Sequence, residues 1–315
     1  MRAYIIRRLL LMPFMLLAMS ALLFYLLQVQ PGDAAILKVG ATGNCAECVQ
    51  RVREDLGLDR PPIVQYLSWL GDIVRGDFGK TLGTNDPIRP EITQALPKTI
   101  EIAVFTLILT MLIGIPVGVI SAVKQGTILD YFLRVVTVAG LSVPTFWLGT
   151  IFVLVPVLWF GWTPLVRDYS SLTENPIDNL RIMFWPAFTL AISSSAYLAR
   201  LVRSSMLEVL YSDYVRTARA KGLKESVVVL RHVLRGSLVT ILTLIGIQFG
   251  AVLGGSVVIE QIYGIPGLGT LSLGAVNHQD YREVLAVTMV FASLFILITL
   301  TIDVLYAYVD PRIRY

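Results

Sequence analysis

Charge is scarce in this sequence. Only 15% of its 315 residues are Asp, Glu, Lys or Arg, whereas a soluble domain carries roughly a quarter. Together with 55% hydrophobic residues and a mean hydropathy of +0.71, this excludes water as the chain's only solvent. Cysteine and histidine are scarcer still, at two residues each. A four-ligand zinc site needs a second cysteine pair, and the pair present, Cys45 and Cys48 in "NCAEC", is followed by Val49 where a haem-attachment motif requires His. No HExxH, no GxSxG and no ordered acid–base cluster occurs, so nothing argues for catalysis within the chain. An internal repeat and a midplane charge pair, the usual marks of a secondary transporter, are also missing.

What the sequence does have is long apolar runs. Charge-free stretches extend from Leu9 to Gly32, Ile102 to Val123, Val135 to Val166, Ile182 to Ala199, Gly236 to Ile259 and Val284 to Ile302. At about 1.5 Å per residue, about 20 such residues cross a hydrocarbon core of roughly 30 Å. The expectation is therefore an all-α membrane protein with six transmembrane helices. The basic start and apolar centre of the first run also fit a signal peptide, but its length and the lack of an A-x-A site favour a retained span. Basic residues set the orientation. With the N-terminus inside, the inner segments 1–8, 124–134, 200–235 and 310–315 hold 3, 2, 8 and 2 Lys or Arg. The outer segments 30–98, 161–183 and 259–283 hold 8, 2 and 1 in about twice the length. Both termini are then cytoplasmic, and His232 and His278 lie on opposite sides.

This gives three parts: an N-terminal transmembrane helix at 1–30, an external, partly folded segment at 31–98, and a membrane core at 99–315. The external segment has turn clusters and one helical pattern, Ile63, Tyr66, Leu67 and Leu70, and is expected to form a small cap. Cys45 and Cys48 lie there, where an oxidising compartment would favour a local disulfide. "GDFGKT", Gly76 to Thr81, ends like a phosphate-binding loop, but Val74 stands where its first glycine belongs, which argues against nucleotide binding.

Inside the spans, Gly114 and Gly118, and Gly246, Gly250 and Gly254, recur every four residues and mark helix faces open to close packing with neighbouring helices or a partner subunit. Pro116 and Pro144 are candidate kinks. Asp303 and Glu260 lie at opposite ends of the membrane and read as paired or capping carboxylates rather than a proton relay.

The basic residues concentrate between Tyr214 and Gly236, "YVRTARAKGLKESVVVLRHVLRG", which holds six Lys or Arg against one acid, Glu225. "DYVRTARAKG" reads as a short helix closed by Gly222. "LKESVVVLRHVL" reads as a second short helix, with Leu223, Val227, Leu230 and Leu234 on one stripe. Two such helices joined at a glycine make a compact projection, which the positive-inside rule alone does not require.

"YVRTARAKGL" followed by "RHVLR" resembles the cytoplasmic coupling loop of ABC-transporter permease subunits, here at about 205–235. The rest of the chain resembles the dipeptide and oligopeptide importer branch, through "PGD" at 31–33, "LGLDRPPIVQYLSWL" at 56–70, "GDFG" at 76–79, "VPTFWLG" at 143–149, "ARLVRSSMLEVL" at 199–210, "IPGLG" at 265–269 and "DPRIRY" at 310–315. Aligned on Gly222, the general Glu-Ala-Ala signature becomes Arg216, Thr217 and Ala218, a variant common in the peptide branch. Leu234 fits the wider pattern, and Arg235 stands where proline is frequent.

The resemblance implies a type I ABC importer permease fold in a bacterial or archaeal cytoplasmic (inner) membrane. Its implied partners are a second, homologous permease subunit, two ATP-binding cassette subunits, an extracytoplasmic substrate-binding protein, a peptide substrate and membrane lipid, with no nucleic acid. ATP and Mg would be bound by the cassette subunits and no cofactor by this chain. Tyr214, Arg216, Ala218, Gly222, Leu223 and His232 are the residues expected to touch the ATPase or shape that contact. Glutathione, a nickel complex or another small peptide-like solute is the alternative cargo.

Overall fold

The computed structural model describes residues 2–29, 34–39, 46–55, 57–166 and 169–309. "PGD", "DPRIRY" and Cys45, and with Cys45 the question of its bridge to Cys48, lie outside them. Among the described residues the structure is helical, and the isolated bridge between Lys80 and Pro87 is the only strand-like pairing.

In chain order the helices are α1 (Arg2–Val29), α2 (Ala34–Val39), α3 (Ala46–Asp55), α4 (Pro62–Val74), α5 (Ile88–Val123), α6 (Ile128–Ser142), α7 (Thr145–Phe160), α8 (Pro176–Leu210), α9 (Asp213–Ala220), α10 (Glu225–Val227), α11 (Leu234–Tyr263), α12 (Leu268–Asn277) and α13 (Tyr281–Val309). A π-helical stretch, Val228–Val233, joins α10 to α11. α1, α5, α8, α13 and the run from Glu225 to Tyr263 are each long and apolar enough to cross a membrane, and α6 with α7 passes the same test only as a pair bent by 91°, the geometry of a broken span or a re-entrant loop. Each of the six apolar runs of the sequence overlaps one of these helices or the bent pair.

Local chemistry sets the element ends. Thr127 caps α6 by accepting the Asp130 amide. α8 opens with Asn175 as cap and Pro176 in the first turn, where its missing N–H costs nothing. α7 and α11 close on left-handed glycines, Gly161 at φ 63° and Gly264 at φ 70°. The two candidate kinks behave differently. α5 runs through Pro116 without a break, whereas Pro144 is the residue just before α7, itself extended, and Val143 before it is extended at ψ 124°. The ring of a proline drives its predecessor out of helical geometry, so the third apolar run is two helices rather than one.

The described residues group into two compact units, one built on Thr99–Ile265 and Ile298 onward, the other on Ile6–Lys98 and Pro266–Leu297. In the second unit, Ile88, Ile92 and Ala95 of α5 pack with Leu268, Ala286 and Val287. There "GDFGKT" is a turn in which Asp77 Oδ1 accepts the Gly79 amide at 2.9 Å, and no helix begins before Ile88. A phosphate loop would place its Lys-Thr at the start of a helix. In the first unit, Tyr169 and Asn179 both donate to Glu101 Oε2, at 2.9 and 2.8 Å, and pin the loop between α7 and α8. Burial and the Glu101 carboxylate hold the Tyr169 hydroxyl above its ordinary pKa.

Glycine spacing is explained in part. A Cβ on Gly114 would lie 2.9 Å from the Ser195 carbonyl oxygen, and one on Gly118 2.7 Å from both the Ala199 oxygen and Val202 Cβ, so these two glycines let α5 lie directly against α8. Gly246 sits under Ile302, 2.6 Å from the position its Cβ would take. Gly254 faces open space, and Gly250 is half-buried. Glu260 is fully buried and accepts from Thr99 Oγ1 at 2.7 Å, and Asp303 is buried as well.

Candidate coupling site

The stretch from Asp213 to Val233 starts where α8 ends. Ser212 turns the chain and α9 runs eight residues to Ala220. Gly222 follows at φ 76°, a left-handed conformation that side chains with a Cβ resist, with its amide bonded to the Arg219 carbonyl at 2.9 Å. A Cβ on Gly222 would meet nothing within 4 Å, so backbone conformation rather than space calls for glycine there. The chain then re-enters helical geometry at Glu225. Arg219 clamps this reversal by donating from Nε and Nη2 to the two Glu225 oxygens, at 3.2 and 2.7 Å. The same carboxylate raises the pKa of the Arg219 guanidinium.

The expected second short helix is not separate. α10 passes through the π-helical stretch into α11, so the projection is one short helix packed against the foot of a membrane helix. The expected stripe is also displaced. Buried here are Val228, Val229 and Val233, while Leu223, Val227 and Leu230 are exposed, Leu230 by 62%. The cause is the i→i+5 pairing of a π-helix, which puts Val228 and Val233 on one face where an α-helix would align residues three or four apart.

These valines join Val215 and Ala218 of α9, Leu198, Val202 and Met206 of α8, Ala122 of α5 and Ile241 of α11 in one apolar core. Ala218 is therefore an internal packing residue of this core. Tyr214 lies across Gly236, where any Cβ would collide with its hydroxyl, and that hydroxyl is 3.5 Å from the His232 carbonyl oxygen. Arg216 points outward and pairs with Asp213 at 3.7 Å. Of the six sequence-selected residues, Tyr214, Arg216, Gly222 and Leu223 are exposed, His232 is half-buried and Ala218 is buried.

One cluster was not singled out by sequence. Asp130, buried near the start of α6, receives Arg203 Nε and Nη2 of α8, both at 3.0 Å, Ser121 Oγ at 2.6 Å and the Gly126 amide at 3.0 Å. Beside it Tyr211 donates to Gln125 at 2.7 Å. The turn between α5 and α6 is thus tied to α8 just before α9. The available signal was that Asp130 is the lone acid in the basic 124–134 segment.

Residues 114–315 match the family described as binding-protein-dependent transport system inner membrane component, and residues 1–103 match the N-terminal family of the same membrane components. The chain belongs to this permease family. It is 40% identical over 319 residues, all of both chains, to the oligopeptide transport system permease protein AppB of Bacillus subtilis (strain 168). It is 36% identical over 312 residues, 99% of both chains, to the glutathione transport system permease protein GsiC of Escherichia coli O1:K1 / APEC. Among solved structures, a chain of the MetNI methionine ABC transporter in its inward facing conformations superposes with a TM-score of 0.56 at 19% identity, covering 70% of this chain and 96% of that one. The permease thus has the type I ABC importer fold and is an inner membrane component, as the expected fold class and localisation require.

Proposed function

We propose that this permease passes di- or oligopeptides through the membrane within an ATP-driven importer, and that α9 with the foot of α11 receives the mechanical stroke from an ATP-hydrolysing partner. The observation that carries this reading is the shared core. Val215 and Ala218 of the projection pack with side chains of α5, α8 and α11, so a push on α9 moves three membrane helices together. Exposed Tyr214, Leu223, Val227 and Leu230 give the projection an apolar outer surface flanked by Arg216, the combination that protein contacts favour.

In this reading the N-terminus is cytoplasmic, two cassette subunits bind ATP and Mg, and the chain itself holds no cofactor. Segments on the other side receive an extracytoplasmic substrate-binding protein. A second, homologous permease completes the path. α11 supports that role by leaving Thr243, Ile247, Ala251, Gly254, Val258 and Gln261 exposed at spacings of four, four, three, four and three, a single open stripe that includes Gly254. Gly250 stands beside it and Gly246 is taken up inside the chain.

The similarity to a glutathione permease favours a second cargo of the same chemistry, a small peptide with a modified linkage. Mass spectrometry of the solute carried by the co-purifying binding protein tests the reading. Linear peptides are expected. Glutathione alone would move the assignment to the second cargo, and a sugar or an inorganic ion would overturn both.

A further inference from the structure

The sequence pattern places α4 in the small external cap, and its packing and its faces bear on where in that cap it lies. No residue of α4 is fully buried. At 100° per residue Ile63, Leu67, Leu70 and Val74 fall within an arc of about 60°, and Ile63, Leu67 and Val74 are 63%, 58% and 80% exposed. A second face holds the helix to α1. Tyr66 Oη is 2.8 Å from Ser20 Oγ and 3.3 Å from the Leu17 carbonyl oxygen, Gln65 accepts from Gln28 at 3.1 Å, and Phe24 packs edge-on to Tyr66 and tilted on Trp69, with ring centres 5.5 and 5.9 Å apart. The third face, roughly opposite the apolar stripe, carries Ser68 and Asp72. With Gln65, these two line a cavity of about 700 Å³ that also receives Arg53, Arg60 and Arg282.

Depth decides what covers the stripe. Ser20 lies inside the apolar span Ile6–Leu26 of α1, six residues or about 9 Å before its end. Tyr66 therefore reaches below the surface of the hydrocarbon region, while Gln65 meets Gln28 just beyond it. The apolar span of α1 is itself almost wholly uncovered, including Leu22 and Leu26. A helix with an apolar face, a polar face opposite and Tyr and Trp at its edge has the features of an interfacial helix.

We propose that α4 is immersed in the bilayer: its Ile63–Leu67–Leu70–Val74 stripe contacts phospholipid acyl chains in the leaflet reached by the C-terminal end of α1, and its Ser68–Asp72 face turns to water. The assembled transporter, with the chain unaltered, is reconstituted in phosphatidylethanolamine and phosphatidylglycerol bearing a diazirine on the acyl chain, photolysed and digested for mass spectrometry. Adducts on Ile63, Leu67 and Val74 are expected at the level of Leu22 and about tenfold above Ser68 and Asp72. Labelling confined to α1 overturns the proposal. Labelling of α4 in the isolated chain that disappears in the assembled transporter also overturns it, because a protein then covers the stripe. As a second reading, spin labels at Leu67→Cys and Ser68→Cys, with Cys45 and Cys48 replaced by Ser, should show oxygen accessibility dominant at position 67 and aqueous nickel accessibility dominant at 68. Equal accessibility at both contradicts immersion.

Discussion

Asp130 has the densest set of charge-assisted contacts described in the first unit, and its cost of loss is correspondingly large. Removing one partner of a buried ion pair leaves the other charge without compensation, worth about 3–5 kcal/mol. Asp130→Ala is expected to lower the thermal midpoint of the detergent-solubilised protein markedly, whereas Glu225→Gln, which loosens the exposed Arg219 clamp, should cost less than about 1 kcal/mol. A thermal-shift assay on both variants checks the ranking, and equal shifts would contradict the burial described. At Gly222 the left-handed backbone makes the prediction sharper than bulk alone. A β-branched residue there loses about 1–2 kcal/mol of backbone preference, and asparagine tolerates the region better. Gly222→Val should therefore abolish uptake while Gly222→Asn retains part of it, with both proteins inserted in the membrane. Equal uptake by Val and wild type would remove Gly222 from the coupling geometry.

At the level of elements, helix contacts follow small residues. Gly118→Leu would force side-chain atoms into the Ala199 backbone and Val202, and overpacking of this kind costs about 1–3 kcal/mol. Reduced folded yield is expected at Gly118, and much less at Gly254, where space is open. Size-exclusion profiles of Gly118→Leu and Gly254→Leu, each purified alone, make the comparison. The apolar runs and the Gly222 turn were legible in the sequence because each depends on residues close along the chain, and the glycines of α5 because a spacing of four puts them on one helix face. Three features were not. The π-helical stretch shifts the buried face by the width of one added residue in the turn, and composition does not report that. The break at Val143–Pro144 looks like an ordinary proline in a span until both flanking helices are seen to diverge. Asp130 finds Arg203 73 residues away, and among eight basic residues of one segment nothing local distinguishes that arginine.

For the whole molecule, the described residues hold five helices long and apolar enough to cross a membrane and one bent pair, and the proposed function is mechanical: the projection shares one core with α5, α8 and α11 and would move with them. Placing a photo-reactive amino acid at Leu223, exposed on the projection and remote from the core valines, tests this most directly when irradiated in intact cells. The account predicts a crosslinked product whose second component is an ATP-hydrolysing cassette subunit. A product containing the extracytoplasmic binding protein, or no protein adduct while the transporter remains active, would contradict it.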